Sequence, residues 1–385
     1  MKILRVIPSV DPKGGGPMEG ARKIDSQLQK LGHEVEVVCL NNPEEDFIAN
    51  YPAKVYAIGP SSSGYSYNKK LVPWIKENRK NYDLVIINGI WQYHSFAAWR
   101  ALSGTSTPYL IFTHGMLDPW FKKTYPLKHI KKWLYWPWAE YKVLRDAKAV
   151  IFTSEEERIT ARESFWLYKC NEAVTMYGTS DIPENSIELR EAFLKKYPEL
   201  RDKKIILFLS RIHEKKGCDL LIEAFSKISN TDNNIRLVMA GPDQSGWVKT
   251  LKKHAEQLGI SEAITWTGML TGDLKWGAFY ASEIFCLPSH QENFGIVVAE
   301  ALACGKPVLI SNKVNIWREI ELDGAGFVDN DSTDGTLSNI NRWLALTPNE
   351  YREFSERAKH CFSRRFHING ATTRLLEIIK ENTDI

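Results

Sequence analysis

The chain contains 385 residues, about two and a half times the ~150 residues of a typical domain, so two domains are expected. Hydrophobic residues make up 43% and charged residues 25% of the chain, which is typical of a folded globular protein and excludes a disordered chain or a fibrous repeat. The 50 Lys and Arg residues against 47 Asp and Glu residues leave a formal net charge of +3, so the overall charge gives no general attraction for nucleic acid.

The cysteines and the apolar segments indicate a cytoplasmic protein. The six cysteines form neither a CxxC pair nor a short cluster with histidine, so we expect mostly buried thiols in a reducing compartment. The first strand-like run, at residues 3–7, is too short for the core of a signal peptide and leads into a glycine-rich turn. The sequence contains no run of ~18 apolar residues, so any membrane contact is expected to be peripheral.

Short apolar runs alternate with helical patterns along nearly the whole chain. Runs that are apolar on both faces and separated by helices predict a parallel sheet that is covered on both sides. In the first half the predicted strands span residues 3–7, 35–40, 55–58, 84–87, 109–112 and 149–152. After a break, further strands are predicted at residues 205–209, 236–240, 264–266, 284–287 and 308–310.

The segment YGTSDIPEN at residues 177–185 lacks this pattern and is rich in turn-forming residues, so it is the predicted linker. Two doubly wound domains joined by a short linker can direct the carboxyl ends of both sheets towards one cleft, and open α/β sheets bind ligands at those ends. The alternative is one binding domain with an unrelated appendage. It is disfavoured because both halves carry motifs at strand ends.

A glycine-rich loop follows the first predicted strand and contains Gly14, Gly15, Gly16 and Pro17. Three glycines allow backbone amides to approach an anion, and proline suits the first turn of a helix. The loop therefore predicts a helix N-terminus that binds an anion such as diphosphate. The spacing matches neither a dinucleotide fingerprint nor a P-loop, and a plain tight turn remains an alternative.

The fifth predicted strand ends in Thr113, His114 and Gly115. A histidine at the carboxyl end of a parallel strand lies where cleft ligands bind and can donate a hydrogen bond near neutral pH. His114 is therefore a candidate site residue. The alternative is a histidine that bonds only to neighbouring backbone.

Two cations follow the first strand of the second half, Arg211 and Lys216. The arginine fork matches phosphate oxygens and the lysine supplies a mobile charge, so this loop suits an anionic leaving group. A solvated charge cluster is the alternative. It does not explain why both cations follow a buried strand.

Two glutamates follow the strand at residues 284–287, Glu292 and Glu300. A helix that starts near Asn293 would leave Glu292 in the preceding loop and put Glu300 two turns in, ~11 Å along the axis. One carboxylate could then reach a sugar and the other a ribose. Glu300 lies among apolar residues, where a charge needs hydrogen-bonding partners, although a surface glutamate remains an alternative.

Taken together, these motifs resemble those of the retaining glycosyltransferase family 4, whose members have the two-domain GT-B fold. The likeness covers nearly the whole chain. It rests on the glycine-rich loop, the passage LQKLGHEV, and the motifs at residues 113–115, 210–217 and 292–300. One departure is Tyr177-Gly178, where the family usually has Asn-Gly.

The resemblance implies an α/β GT-B fold with two doubly wound Rossmann-like domains that face a central cleft. An acceptor-side domain is expected at residues 1–178, joined by the C-terminal helix at 363–385. The final segment, residues 366–379, is expected to form the helix that crosses back to the first domain. A domain that binds the nucleotide-sugar donor is expected at 179–362.

The resemblance also implies a role for each motif. His114, Glu292, Arg211 and Lys216 are the expected catalytic residues, with His114 beside the donor sugar and the two cations on the diphosphate. Glu300 is expected to bind the ribose and Glu292 the sugar hydroxyls. Backbone amides near Glu292 are also expected in the donor site, at Asn293, Phe294 and Gly295. The glycine-rich loop is expected to close over the phosphates, through Gly14, Gly15 and Gly16.

The expected reaction transfers a hexose from a UDP- or GDP-sugar to a glycan or a lipid-linked glycan, with retention of configuration. Fixed cations and helix N-termini can stabilise the departing diphosphate, so neither a metal nor a cofactor is expected. The single Asp-x-Asp, at residues 329–331, is interpreted as a loop. A nucleotide-sugar epimerase with the same fold and an inactive sugar-binding protein remain alternatives.

Residues 120–138 combine aromatic and basic side chains, and three interpretations stay open. They suit an anionic membrane surface at the inner face of the membrane, the wall of an acceptor pocket, or a structural helix. The residues concerned are Trp120, Trp133, Trp136, Trp138, Lys122, Lys123, Lys128, Lys131 and Lys132.

Overall fold

The computed structural model describes residues 1–62, 64–120, 122, 126–229 and 232–385, apart from the side chain of Lys128. These residues form two compact units, Met1–Thr179 with Ile368–Ile385, and Ser180–His367. The domain limits that the sequence predicts, 1–178 with 363–385 and 179–362, stay a prediction.

The first unit is built on a parallel sheet with seven strands among the described residues, in the order β3-β2-β1-β4-β5-β6-β7. Because the chain adds strands first on one side of β1 and then on the other, β1 and β4 are neighbours at a topological switch point. The strands are β1 (Lys2–Val6), β2 (Glu34–Cys39), β3 (Lys54–Ala57), β4 (Leu84–Asn88), β5 (Tyr109–Phe112), β6 (Ala149–Phe152) and β7 (Glu172–Val174).

The strands at 109–112 and 149–152 are confirmed to the residue, and the others of this half begin and end within a residue of the prediction. All five residues of β4 are buried, as expected for a strand covered on both faces. β7 was not predicted, because its three half-buried residues form no apolar run.

Helices of the first unit connect these strands: α1 (Gly16–Lys30), α2 (Leu71–Asn78), α3 (Tyr93–Leu102), α4 (Pro126–Tyr135), α5 (Glu140–Arg145) and α6 (Glu155–Ala161). α1 ends at Lys30, and Gly32, which has φ +83°, follows two residues later. There the His33 amide donates to the Leu28 carbonyl and the Gly32 amide to the Gln29 carbonyl. These two bonds satisfy carbonyls that the end of the helix would otherwise leave unpaired.

The second unit repeats the architecture with six strands among the described residues, all parallel, in the order β10-β9-β8-β11-β12-β13. The switch point here lies between β8 and β11. The strands are β8 (Lys204–Leu209), β9 (Ile235–Ala240), β10 (Ile264–Gly268), β11 (Ile284–Leu287), β12 (Val308–Ser311) and β13 (Gly326–Asp329). The helices are α7 (Ser186–Lys196), α8 (Cys218–Ser229), α9 (Val248–Gln257), α10 (Gly272–Ala281), α11 (Ile296–Ala303), α12 (Trp317–Leu322), α13 (Thr333–Leu344) and α14 (Pro348–Cys361).

After a π-helical turn at Phe362–Phe366, the last helix, α15 (Ile368–Asn382), belongs to the first unit. α15 packs against α1, and the Thr175 hydroxyl donates to the Ala371 carbonyl at 2.9 Å. The predicted C-terminal helix is thus present and begins at Ile368, two residues later than predicted.

All six cysteines lie in the described part of the chain and are free, and five of them are buried. The expectation of mostly buried thiols is confirmed. Of the helices in the described ranges, none has the combination of length and apolar character that crossing a bilayer requires.

A close contact between α7 and α10 depends on Gly277. A Cβ atom at this position would lie 2.3 Å from the Leu189 carbonyl oxygen and 2.8 Å from the Phe193 Cβ atom. Only a residue without a side chain lets the two helices approach this closely. α10 also carries Lys275, which pairs with Glu300. The contact between α7 and α10 therefore helps to hold Lys275 in place.

We expect Gly277→Ala to lower the free energy of unfolding by about 1–3 kcal/mol, because the added methyl group has nowhere to go. Gly370→Ala is the matched control. A Cβ atom there meets nothing within 4 Å, so this change should be neutral or stabilise by up to about 1 kcal/mol. Thermal unfolding of both variants checks this, and equal transition temperatures for the two variants would contradict the close contact.

Candidate functional site

The glycine-rich loop lies at the carboxyl end of β1. Asp11 closes the loop by accepting a hydrogen bond from the Lys13 amide at 2.8 Å, and Gly15 has φ +77° just before α1 begins at Gly16. The three glycines are exposed, and a Cβ atom at Gly15 or Gly16 would meet nothing within 4 Å. The loop thus presents the N-terminus of a 15-residue helix to solvent, which is the geometry that anion binding requires.

His114 follows β5 in a left-handed backbone conformation, with φ +51°. Its Nε2 atom lies 3.0 Å from Asn88 Nδ2, and its Nδ1 atom lies 3.2 Å from the Tyr177 hydroxyl. Burial and the neighbouring Arg5 guanidinium, with a smaller contribution from His94, lower the pKa of His114 to about 3. The expected donation to a ligand does not fit this arrangement, because both ring nitrogens face protein groups. Its place beside the donor sugar stays a prediction.

Glu157 holds the backbone on the other side of this strand end. Its Oε1 atom accepts from the Thr113 hydroxyl at 2.7 Å and the Gly115 amide at 2.5 Å, while Oε2 accepts from the Thr153 amide and hydroxyl at 2.7 Å. Glu157 was not predicted from the sequence. The available signal was the spacing of Ser154 and Glu157 at a helix start, since Ser154 caps α6 by accepting from the Glu157 amide.

Tyr177, the departure from the family pattern, is buried against α1. A Cβ atom at Gly20 would lie 1.5 Å from the Tyr177 ring, so the large tyrosine and the missing side chain at Gly20 complement each other. The Tyr177 hydroxyl lies 3.4 Å from the Pro17 carbonyl oxygen as well as close to His114. Tyr177 therefore connects His114 with the first turn of α1.

In the second unit, the loops after β8 and β11 pack directly on each other. Gly217 has φ +64°, and a Cβ atom there would lie 2.2 Å from the Pro288 carbonyl oxygen. Lys216 is buried, with 6% of its surface exposed, and its Nζ atom pairs with the Glu292 carboxylate. Arg211 is exposed and lies 3.5 Å from Gln244 Oε1. The structure thus joins Lys216 and Glu292, which the sequence singled out separately.

The helix after β11 starts later than predicted. It begins at Ile296 rather than near Asn293, because Gly295 adopts φ +71° and ends the loop. Glu300 is therefore only ~6 Å along the axis from the helix start, instead of ~11 Å. Glu292 is fixed in the loop by its backbone, which donates to the Lys313 carbonyl and accepts from the Asn315 amide, both at 2.9 Å.

Asn293, Phe294 and Gly295 lie in this loop, as predicted from the motif. The Phe294 ring is buried and makes an edge contact with Phe366, with 5.7 Å between the ring centroids. This packing holds the backbone of the loop in place, while binding of a ligand by its amides stays a prediction.

Glu300 is buried, with 3% of its surface exposed, so the surface-glutamate alternative is wrong. Its Oε1 atom accepts from Lys275 Nζ at 2.6 Å, and among the described residues its buried Oε2 atom has no hydrogen-bond partner. Leaving a buried carboxylate oxygen without a donor is costly, so this oxygen is suited to accept a hydrogen bond from a ligand hydroxyl. Lys275 was missed because it lies on α10, and nothing in the local sequence relates the two positions.

The Asp-x-Asp segment lies at the end of β13, and Asp331 is in the following loop, where its Oδ2 atom is 2.9 Å from His290 Nδ1. Within the ranges that the structure describes, no three His, Cys, Asp or Glu side chains are grouped so that they could hold a metal ion. The expectation that the site works without a metal or a cofactor stays a prediction.

Residues 120–138 divide between the core and the surface. Trp136 is fully buried and stacks on Phe165, with 4.3 Å between the ring centroids. Lys132 lies over the Trp91 ring, with its Nζ atom 4.5 Å from the centroid. The structural interpretation therefore holds for part of the segment. Lys123 lies outside the described residues, as does the side chain of Lys128.

The outer face of α4 is apolar and exposed. Leu127, Ile130 and Leu134 follow helical spacing and expose 78%, 54% and 61% of their surface. The exposed Lys131 lies on the same face, and the exposed Lys122 precedes the helix.

Two family models match the chain. Residues 15–167 match the glycosyl transferase 4-like domain, and residues 190–360 match the glycosyl transferases group 1. The chain belongs to the group 1 glycosyl transferases of the GT-B type.

Curated relatives carry transferase names. The chain is 25% identical over 246 residues to an alpha-D-kanosaminyltransferase from Streptomyces kanamyceticus, which is 63% of each protein. It is 28% identical to a lipopolysaccharide 1,2-N-acetylglucosaminetransferase from Salmonella typhimurium, over 46% of this chain and 49% of that protein. The matched region spans less than two thirds of each of these relatives.

Solved structures match over the full length. HepE from Anabaena in complex with UDP has a TM-score of 0.80 at 18% identity, covering 99% of this chain and 100% of that one. A sucrose-phosphate synthase from Thermosynechococcus elongatus has a TM-score of 0.77 at 17% identity, covering 99% and 98%. At these identities the likeness establishes the fold.

Proposed function

We propose that this protein is a retaining hexosyltransferase that moves a sugar from a nucleotide-diphosphate donor to a saccharide or lipid-linked saccharide acceptor in glycan biosynthesis. The observation that carries the proposal is the carboxyl edge of the second sheet, where the loops after β8 and β11 pack on each other and Lys216 pairs with Glu292. Relatives named as sugar transferases and the HepE complexes with UDP and UDP-glucose support a nucleotide-sugar donor. Retention rests on the resemblance to family 4.

The diphosphate leaving group explains why the site would contain two cations, Arg211 and Lys216. Breaking the bond from the anomeric carbon puts negative charge on the departing diphosphate, and preorganised cations stabilise that charge more than they stabilise the bound donor. Lys216 is held by Glu292 in the structure. A diphosphate that attracts Lys216 would leave the Glu292 carboxylate available to accept hydrogen bonds from the sugar hydroxyls. The exposed Arg211 fork can then bind the outer phosphate oxygens.

Glu300 is the residue proposed to bind the nucleotide part of the donor. Lys275 holds one carboxylate oxygen in place, and the second is buried with no partner in the described part of the chain, so it can accept a hydrogen bond from a ribose hydroxyl. In the first unit, the amides of the Gly14–Gly16 loop at the start of α1 suit the phosphates.

We expect Glu300→Ala to weaken binding of the preferred nucleoside diphosphate by ~10- to 100-fold, because a charge-assisted hydrogen bond to the ribose is lost. A thermal-shift panel of nucleoside diphosphates selects the ligand, since a ligand at ~100 times its Kd stabilises by ~2.7 kcal/mol. Titration calorimetry then measures the Kd. Glu256→Ala, at an exposed position on α9, is the matched control and should leave the Kd unchanged. An unchanged Kd in folded Glu300→Ala would remove Glu300 from the nucleotide site.

Replacing Arg211 or Lys216 with Ala should lower kcat by about 10²-fold or more and weaken donor binding less, because their interaction with the phosphate oxygens strengthens as charge develops. Arg211→Lys should restore only part of the activity, since a point charge cannot replace the planar fork. Turnover of the donor, followed with and without EDTA and added magnesium, measures both effects, and chelation should leave wild-type turnover unchanged.

The matched control is Lys253→Ala, an exposed lysine on α9. Loss of wild-type activity in EDTA, or near-normal kcat in both cation variants, would show that another group handles the phosphate charge. Product analysis in the same assay separates the transferase from an epimerase, because an epimerase converts the donor without any acceptor.

We further propose that the outer face of α4 contacts an anionic membrane surface. Its exposed apolar stripe with Lys131 alongside is the arrangement of a helix that lies at a lipid interface. A surface cavity of about 550 Å³ beside α4 has Trp133 and Trp166 among its lining residues, which keeps the acceptor-wall interpretation open.

The wild-type protein should float with anionic liposomes at low salt and less at physiological ionic strength, where exposed charges are screened beyond ~8 Å. Replacing Leu127, Ile130 and Leu134 together with Ser should abolish flotation. Ile187→Ser with Leu322→Ser is the control, because both are exposed apolar residues of the second unit. Absence of wild-type flotation at low salt would leave the acceptor-wall and structural interpretations.

A further inference from the structure

A network of hydrogen bonds between polar side chains connects β1 of the first unit with the start of α1. At one end Arg5 is fully buried and its Nε atom lies 2.8 Å from both carboxylate oxygens of Asp25. The Tyr51 hydroxyl donates to the same carboxylate at 2.8 Å. The buried charge of Arg5 is thus paired, and one of its NH2 groups remains to donate a hydrogen bond to Asn88 at the end of β4.

That group fixes the amide of Asn88. Arg5 Nη1 lies 2.5 Å from Asn88 Oδ1, and a guanidinium can only donate, so Oδ1 accepts and the Asn88 Nδ2 group must point the other way. Nδ2 lies 3.0 Å from His114 Nε2. Since an amide NH2 also only donates, His114 Nε2 accepts and carries no proton.

The proton of the neutral ring is then on Nδ1, which faces the Tyr177 hydroxyl at 3.2 Å. The hydroxyl in turn can donate to the Pro17 carbonyl at 3.4 Å. Burial, the charge of Arg5 and, to a smaller extent, His94 keep the ring neutral, with the pKa of His114 at about 3. Each hydrogen bond in the series Arg5, Asn88, His114 and Tyr177 is therefore donated towards the first turn of α1.

We propose that Arg5 is a positioning residue that acts through Asn88 to fix His114 as a neutral imidazole with its proton on Nδ1. Both ring nitrogens are then committed to the protein, so His114 neither takes nor gives a proton during the reaction. What this strand end offers a donor sugar is the rigid ring and the backbone at residues 114–115, which Glu157 holds from the other side. The significance for catalysis rests on the proposed function, while the tautomer itself does not.

A second histidine in the same cluster provides an internal reference. His94 Nε2 lies 2.8 Å from the backbone carbonyl of Asn88, which can only accept, so His94 must carry its proton on Nε2. Burial lowers the pKa of His94 to about 4. Asn88 thus requires opposite tautomers of its two histidine neighbours, one through its side chain and one through its backbone.

The test is a long-range ¹H–¹⁵N correlation spectrum of the ligand-free protein with ¹⁵N-labelled histidine, recorded between pH 5 and pH 8. We expect the Nδ1–H form for His114 and the Nε2–H form for His94, with neither titrating in this range. His114→Gln and His94→Gln assign the two signals by their loss. An Nε2–H form of His114, or its titration in this range, would overturn the proposal without any variant at Arg5 or Asn88.

Asn88→Asp tests whether Asn88 sets the tautomer of His114. A carboxylate can only accept from both neighbours, so it still pairs with Arg5 but requires a proton on His114 Nε2, and its negative charge raises the pKa of His114. We expect the His114 signal to change to a form protonated on Nε2, while the His94 signal stays as it was. Arg5 and His94 act on the His114 ring through their charge, the Tyr177 hydroxyl faces its Nδ1 atom, and Asp25 and Glu157 act on Tyr177.

Tyr177→Phe is the matched control. It removes the acceptor for Nδ1 but leaves Asn88 in place, so the tautomer of His114 should not change. A changed tautomer in Tyr177→Phe, or an unchanged one in Asn88→Asp, would show that Arg5 and Asn88 are not what fixes the ring. Because the spectrum is recorded without donor or acceptor, a failure of the proposed transferase activity leaves its outcome unaffected.

Discussion

The constraint on which the rest of the structure depends is that both sheets are parallel and are built outwards from a central pair of strands. Parallel strands bring all their carboxyl ends to one edge, so the loops that follow the two central strands begin side by side. In the second unit these are the loops after β8 and β11, which touch at Gly217 and Pro288. Lys216 and Glu292, which are 76 positions apart in the chain, therefore become partners.

Pairing of buried charges is the second constraint, and it follows from the first. Taking a charge out of water costs several kcal/mol unless it is paired and hydrogen-bonded, and even then the net gain in stability is small. The pairs Lys216–Glu292 and Lys275–Glu300 lie where the proposed donor would bind, and in the second pair one carboxylate oxygen is left without a partner among the described residues. Under the proposed function, such pairs are explained by the donor that they bind rather than by the stability that they add.

In the first unit the charge is placed differently. Arg5 and Asp25 are both buried on one side of His114, and their effect reaches the ring through a neutral amide. Burial and the charge of Arg5 keep the imidazole neutral, while a carboxylate in the place of the amide would favour its protonated form. The first unit therefore presents a fixed neutral group at its strand end, and the second presents paired charges.

The sequence by itself determined the two parallel sheets, the limits of most strands, and the loops that carry Gly14–Gly16, Arg211 and Glu292. It could do so because these are local properties, namely apolar runs of strand length followed by glycine, cations or carboxylates. Only the tertiary structure decided that Lys275 pairs with Glu300 and that Arg5 controls His114 through Asn88. The physical reason is that each of these contacts joins side chains from different strands or helices, so no spacing along the chain encodes it.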